Sequence, residues 1–197
     1  MNRKEFFDRM ASDWEKEHRC QKEQAKLEKL AGYFPLSQGH WVLDAGCGTG
    51  RLIPFIRKSI GTQGSLVEMD FSREMLKIGQ EKYFSENTGF VQSNAQTIPL
   101  QNDNFDVVIC FALFPHLSQK EKALKEFRRV LKPQSPLVIA HPMSREELNR
   151  FHSHVKGPVA QDFLPDRREM EQLFSAARFH NLSIKDEPSL YIAQATA

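Results

Sequence analysis

A chain of 197 residues, with 40% hydrophobic and 26% charged side chains, is long enough to bury one continuous core and too short for two large domains, so a single domain over 1–197 is expected. Its 27 basic and 25 acidic side chains nearly balance, and the basic ones are spread from Arg3 to Lys185 without a tract that would point to nucleic acid. Cys20, Cys47 and Cys110 have no metal-ligand spacing, Met1 to Met10 is charged, and no apolar run approaches the ~18 residues of a membrane span; reduced thiols, neither secretion nor membrane insertion, and a cytoplasmic location are expected.

Helical and strand-like segments alternate as in an α/β protein with a parallel sheet covered by helices. Gln21 to Phe34 places Leu27, Leu30, Ala31 and Phe34 at helical spacing, with Pro35 as the stop. Trp41 to Asp44 reads as the first strand. Leu52, Ile53, Phe55 and Ile56 give the next helix its apolar side, and Gly61 to Gly64 turn the chain into strand Ser65 to Asp70. Ser72 can cap a helix reaching about Phe84, and Gly89 to Ser93 is a short third strand. Phe105 to Phe111 is almost wholly apolar, as a central strand buried on both faces should be. Ser118 with Glu121 predicts a capping box opening a helix along Leu124, Phe127 and Leu131, which Pro133 stops. Leu137 to His141 is a fifth strand. Ser144 with Glu147, and Asp166 with Glu169, predict two more capping boxes, and Leu182 to Lys185 and Leu190 to Ala193 read as closing strands.

The chemistry concentrates where the first strand ends, because open α/β sheets bind ligands beyond the carboxyl ends of their strands. Gly46, Gly48 and Gly50 let the backbone of Asp44–Gly50 turn sharply and approach a flat ligand. Dinucleotide loops place the third glycine three residues after the second; here the spacing is two. Asp44 would repel a pyrophosphate and suits a ligand bearing an ammonium and a sulfonium. Asp70, twenty residues after Gly50, ends the second strand where a carboxylate can accept from both ribose hydroxyls, and Phe71 and Met75 follow where they can pack on adenine or simply fill core.

These residues resemble the S-adenosylmethionine methyltransferases related to the ubiquinone/menaquinone biosynthesis group: Val42 to Gly50, including Cys47, matches their first motif and Val67 to Leu76 their second. The match continues through Ser93-Asn94-Ala95-Gln96 and Ile98-Pro99-Leu100, Phe105 to Val108, and Arg128 to Pro133, covering roughly residues 5 to 142. The resemblance implies a Rossmann-like class I methyltransferase fold with a mostly parallel seven-stranded sheet, and S-adenosyl-L-methionine as cofactor. It implies adenine contacts at Asn94 and Ala95, backbone carbonyls near Gly46 and Phe111 for the methionine ammonium, and a lid at 1–20 carrying Phe6, Phe7 and Trp14. Three departures stand out: Asn94 where an aspartate is common, Gln134-Ser135 in place of a glycine pair, and Arg178 where a glycine commonly ends the late helix.

On the acceptor side, His116 follows the fourth strand and His141 ends the fifth; either imidazole can take a proton from a phenol, thiol or amine, and His116 can equally serve a structural role. His141, His152 and His154, with Asp162 nearby, form the candidate metal or general-base group if His152 and His154 lie in an extended loop; in a helix they point apart. The apolar insert 143–165 reads as a substrate lid. A methyltransferase acting on a small apolar or aromatic molecule, as a monomer or homodimer, is expected. The alternatives are a non-catalytic binder of S-adenosylmethionine or its demethylated product, and a metal- or tetrapyrrole-linked methyltransferase using the histidines.

Overall fold

In a computed structural model, which describes residues 2–17 and 21–197 without the side chains of 14–17, 21 and 22, the alternating pattern resolves into one seven-stranded sheet. The Trp14 side chain, expected at the cofactor, and Cys20 lie outside the described residues. The strands are β1 (Trp41–Ala45), β2 (Ser65–Asp70), β3 (Thr88–Gln92), β4 (Val107–Phe111), β5 (Pro136–His141), β6 (His180–Glu187) and β7 (Leu190–Thr196). The helices are α1 (Arg3–Glu17), α2 (Gln21–Ala31), α3 (Ile53–Ile60), α4 (Arg73–Tyr83), α5 (Lys120–Val130), α6 (Arg145–His154) and α7 (Arg167–Ala176). None of the described helices is long and apolar enough to cross a membrane.

The spatial order is β3-β2-β1-β4-β5-β7-β6, and only β7 runs against its neighbours, pairing antiparallel with β5 and β6. Every residue of β4 is buried, as its unbroken apolar run requires of a strand covered on both faces. Alternation along the strands divides the core. Leu43, Val108, Cys110, Leu137 and Ile139 face α5 and α7, while Val42, Val107, Ile109, Val138 and Ala140 face α2 and α3.

Local signals set most boundaries. Ser72 Oγ accepts from Met75 N to start α4, and the capping boxes at Ser144/Glu147 and Asp166/Glu169 both form. The box expected at Ser118/Glu121 does not. Gln119 occupies the N-cap of α5, and both Gln119 N and Ser118 Oγ donate to Gln96 Oε1, so a side chain from the β3–β4 connection takes the acceptor role. Gln134 and Arg178, two of the departures from the pattern that the family resemblance implies, both adopt positive φ, 66° and 62°. The chain keeps those left-handed turns at the steric cost that a Cβ brings. β6 and β7 run beyond the apolar stretches that announced them, because most of edge strand β6 faces solvent with polar side chains.

Phe127 on α5 is fully buried in the core between α5 and the sheet. Phe127→Ala is expected to lower stability by about 3–5 kcal/mol in denaturant unfolding. Phe84→Ala, at a ring 71% exposed, should stay within about 0.5 kcal/mol of the parent.

Candidate active site

The strand order reverses between β1 and β4, and the loop leaving β1 opens onto the crevice above that point. Gly46 N and Cys47 N donate to Met69 O at 2.7 and 3.1 Å, and Gly48 N donates to Asp70 Oδ2 at 3.0 Å, so the loop is strapped to the end of β2. Gly46 adopts φ +76°, and a Cβ there would fall 2.8 Å from Leu113. Gly48, at φ +57°, has only the Met75 sulfur within 4.0 Å of such a Cβ and leaves its side open to the cavity.

The cavity measures about 830 Å³ and runs across the carboxyl edge of the sheet. At one end it is lined by Gly46, Cys47, Gly48 and Asp70, with Phe71, Met75, Asn94 and Ala95 as a wall. Asp70 Oδ1 accepts from Ser72 N at 2.8 Å, and each of its oxygens keeps a lone pair for a ligand hydroxyl. Phe7 of α1 meets Phe71 edge-on at 5.7 Å and closes over this wall. Asn94 lines the wall, but its Oδ1 accepts from Gln96 N and Gln96 Nε2, at 2.9 and 3.1 Å, and is taken up by that turn rather than held out for an adenine amino group. Phe111 also lines the cavity, where the ammonium was expected. Lys26 and the Arg51–Glu23 ion pair (2.9 Å) line the same cavity, three charged residues that no local motif announced.

Two expected cofactor residues stand outside the lining. At Gly50 a Cβ would lie 2.5 Å from Ile53 Cδ1, so this glycine serves packing beneath the loop. Asp44 is 1% exposed, below the glycine loop. Its register partner on β2 is Glu68, 0% exposed, and none of the four carboxylate oxygens meets hydrogen-bond geometry with a partner. Burial first, then the Asp70 charge, pushes Asp44 up to about 8. Burial and Asp44 push Glu68 well above the carboxylate range, with the Cys47 thiol as the group that opposes this. Asp70, buried but bonded by the backbone of Ser72, Gly48 and Phe71, rises only to about 6. Glu68 had a signal in the sequence: two positions before Asp70 in a strand, it must share that residue's face.

The other end of the cavity is apolar and carries imidazoles. Leu113, Met143, Leu148 and Phe151 line it with His116, His141 and His152. His141 is buried with its Nε2 unpartnered, and burial together with His116 and His152 lowers it to about 3, so it is neutral at physiological pH. His116 sits in the turn after β4, with Nδ1 2.8 Å from Asp162 Oδ2, and His152 Nδ1 meets the Asp162 backbone oxygen. His154 does not join them. α6 continues through it, residues two apart on a helix diverge, and its Nδ1 turns back to Arg150 O at 2.7 Å in solvent. Among the described residues no three His, Cys, Asp or Glu are grouped to hold a metal, so the expected set of His141, His152 and His154 is not assembled.

Residues 42–134 match a family model described as a methyltransferase domain. The ubiquinone/menaquinone biosynthesis C-methyltransferase UbiE of Photorhabdus laumondii is 31% identical over 155 residues, covering 73% of this chain and 61% of the relative. UbiE of Serratia proteamaculans is 31% identical over 173 residues, covering 74% and 68%. Among solved structures, a SAM-dependent methyltransferase from Aquifex aeolicus superposes with a TM-score of 0.76 at 25% identity, covering 94% of this chain and 97% of that one. The chain spans about three fifths of the length of the first of these relatives.

The buried acids fix a pH dependence. Asp44, near 8 folded and about 4 unfolded, holds its proton longer in the folded state, so stability falls as pH rises through that window. His141, near 3 folded and about 6.5 unfolded, acts oppositely but has finished by about pH 6.5. The melting temperature of the ligand-free protein is therefore expected to fall between about pH 6.5 and 8, and Glu68→Gln to shallow that fall. A flat wild-type profile across this range would contradict the assignment.

Proposed function

The chain belongs to the class I S-adenosylmethionine-dependent methyltransferases, and we propose that it is a cytoplasmic enzyme that methylates a small apolar or aromatic molecule rather than nucleic acid. One observation carries this reading: a single cavity joins the glycine loop and Asp70 at one end to an apolar, imidazole-bearing chamber at the other. S-adenosylmethionine, when bound, supplies a methyl on a cationic sulfur, open to in-line attack. The residues present fit it. All of these line the cavity: Asp70 would accept from the ribose hydroxyls, Phe71, Met75 and Ala95 would pack on the adenine, and the backbone at Gly46 and Phe111 would receive the ammonium. Asp44, outside the lining and mostly protonated near neutral pH, acts at one remove as part of the buried floor beneath the loop.

On the acceptor side, the molecule that gains the methyl gives up one proton, and His116 Nε2, the ring nitrogen not engaged by Asp162, takes it. His141, neutral and with its buried Nε2 unpartnered, lines the chamber beside the acceptor and would orient it if that nitrogen became reachable on binding. The names of the relatives make a reduced quinone ring, whose phenolic hydroxyls match these imidazoles, the first acceptor to test. In this reading 1–197 works as one unit, monomer or homodimer, with α1 closing over the cofactor and 143–165 over the acceptor.

Calorimetry with S-adenosylhomocysteine should give one site, and Asp70→Asn should weaken it about 10- to 100-fold, the loss of a charge-assisted contact of ~1.5–3 kcal/mol. His116→Gln should keep that affinity and lower turnover of a short-chain quinol by about 10²–10⁴-fold. Absence of wild-type binding would sink the reading. Tight binding with no turnover of phenols, thiols or amines would replace the enzyme with a binding regulator.

A further inference from the structure

Asp162, in the connection between α6 and α7, is 4% exposed, and three elements meet on it. Its Oδ2 accepts from His116 Nδ1 at 2.8 Å, in the turn after β4. Both oxygens face the Arg3 guanidinium of α1, with Nε 3.3 Å from Oδ2 and a terminal nitrogen on Oδ1. Its backbone oxygen meets His152 of α6. Phe7, one turn along from Arg3, sets its ring edge-on to His116 at 5.4 Å, and His116 lies 5.1 Å from the His152 ring.

A carboxylate removed from water needs a compensating charge, and Arg3 supplies it. Burial tends to raise the Asp162 carboxyl, but the bonds from His116 and Arg3 hold it down at about 2. An ionised carboxylate has no proton to give, so the hydrogen in its contact with His116 sits on Nδ1, and in the neutral ring the lone pair is on Nε2.

We propose that Asp162 is a positioning residue: it fixes His116 as the Nδ1–H tautomer, with the Nε2 lone pair left for the cavity, and through Arg3 it couples that arrangement to the docking of α1. The catalytic meaning of this tautomer rests on His116 being the base; the tautomer and the coupling do not. Sequence distance hid the device, since Arg3 and Asp162 stand 159 positions apart.

Nitrogen-15 spectra of the imidazoles in the ligand-free 197-residue chain test it, with the His116 signals identified by their loss in His116→Gln. The wild type should show the Nδ1–H pattern for His116, and Asp162→Ala should turn it to the Nε2–H form that free imidazole side chains prefer. Hydrogen exchange over Arg3 to Ala11 should rise about two- to fivefold in Arg3→Gln, as expected for loss of a half-exposed ion pair, with β4 and β5 unchanged. An Nε2–H pattern in the wild type overturns the proposal without any variant, which covers the case in which Asp162→Ala does not fold. So does an Asp162→Ala protein that keeps Nδ1–H, or an Arg3→Gln protein with unaltered exchange in α1. None of these readouts needs an acceptor. A wild type that shows the Nδ1–H pattern but turns over no acceptor would remove the catalytic reading and leave the positioning role standing.

Discussion

The Asp70 carboxylate accepts from Gly48 N on one side and Ser72 N on the other, and the glycine loop, the sheet and α4 are joined at that point. Ser72 extends the joint: its hydroxyl accepts from Met75 N to cap α4 and donates to Asp8 of α1 at 2.5 Å. Magnitudes explain why this acid, of the three buried together, can sit beside a ligand. Burying a carboxylate costs several kcal/mol, while each hydrogen bond to its charged form returns about 1.5–3. With backbone amides as partners Asp70 is pushed only to about 6; without such partners Asp44 is pushed to about 8. Two adjacent strands therefore present one carboxylate that stays ionisable at the cavity, on β2, and hide another that keeps its proton, on β1.

Charge is graded along the cavity. Asp70, the most readily ionised of the three buried acids, stands at the glycine-loop end, whereas at the far end burial and the neighbouring His116 and His152 hold His141 neutral. A cation is favoured at the first end and an uncharged, partly apolar body at the second. That gradient agrees with membership of a family whose cofactor carries both an ammonium and a sulfonium, and it narrows the acceptor by polarity rather than by name.

The sequence was most informative where a structure is set by neighbours a few residues apart. β2 begins and ends at Ser65 and Asp70 as the flanking glycines and the apolar run indicated, and two capping boxes formed on their four-residue patterns. It was least informative where partners are distant. Gln96 replaces a local cap at α5, Glu68 faces Asp44 only because two strands pair in register, and Arg3 reaches Asp162 from the opposite end of the chain. Gly50 illustrates a subtler gap. Its motif position marked it for the ligand, yet its missing Cβ makes room for Ile53. The histidines divided in the same way: helical continuity of α6 separated His154 from His152, while a turn and a loop brought His116 to Asp162.

The reversed strand β7 shapes the mouth of the cavity. Because it runs against β5, its first residues rather than its last stand at the carboxyl edge, with Tyr191 opposite His141. The connection arriving there is the β6–β7 hairpin, and Ser189 from its turn lines the cavity while donating through its backbone to Glu147 of α6. A strand-to-helix loop at that place would be tied to the packing of a whole crossover. A hairpin tip can lengthen or shorten while its two strands keep register. The rim beside His141 is thus a part of the molecule where evolution can remodel the entrance without disturbing the parallel core or the glycine loop.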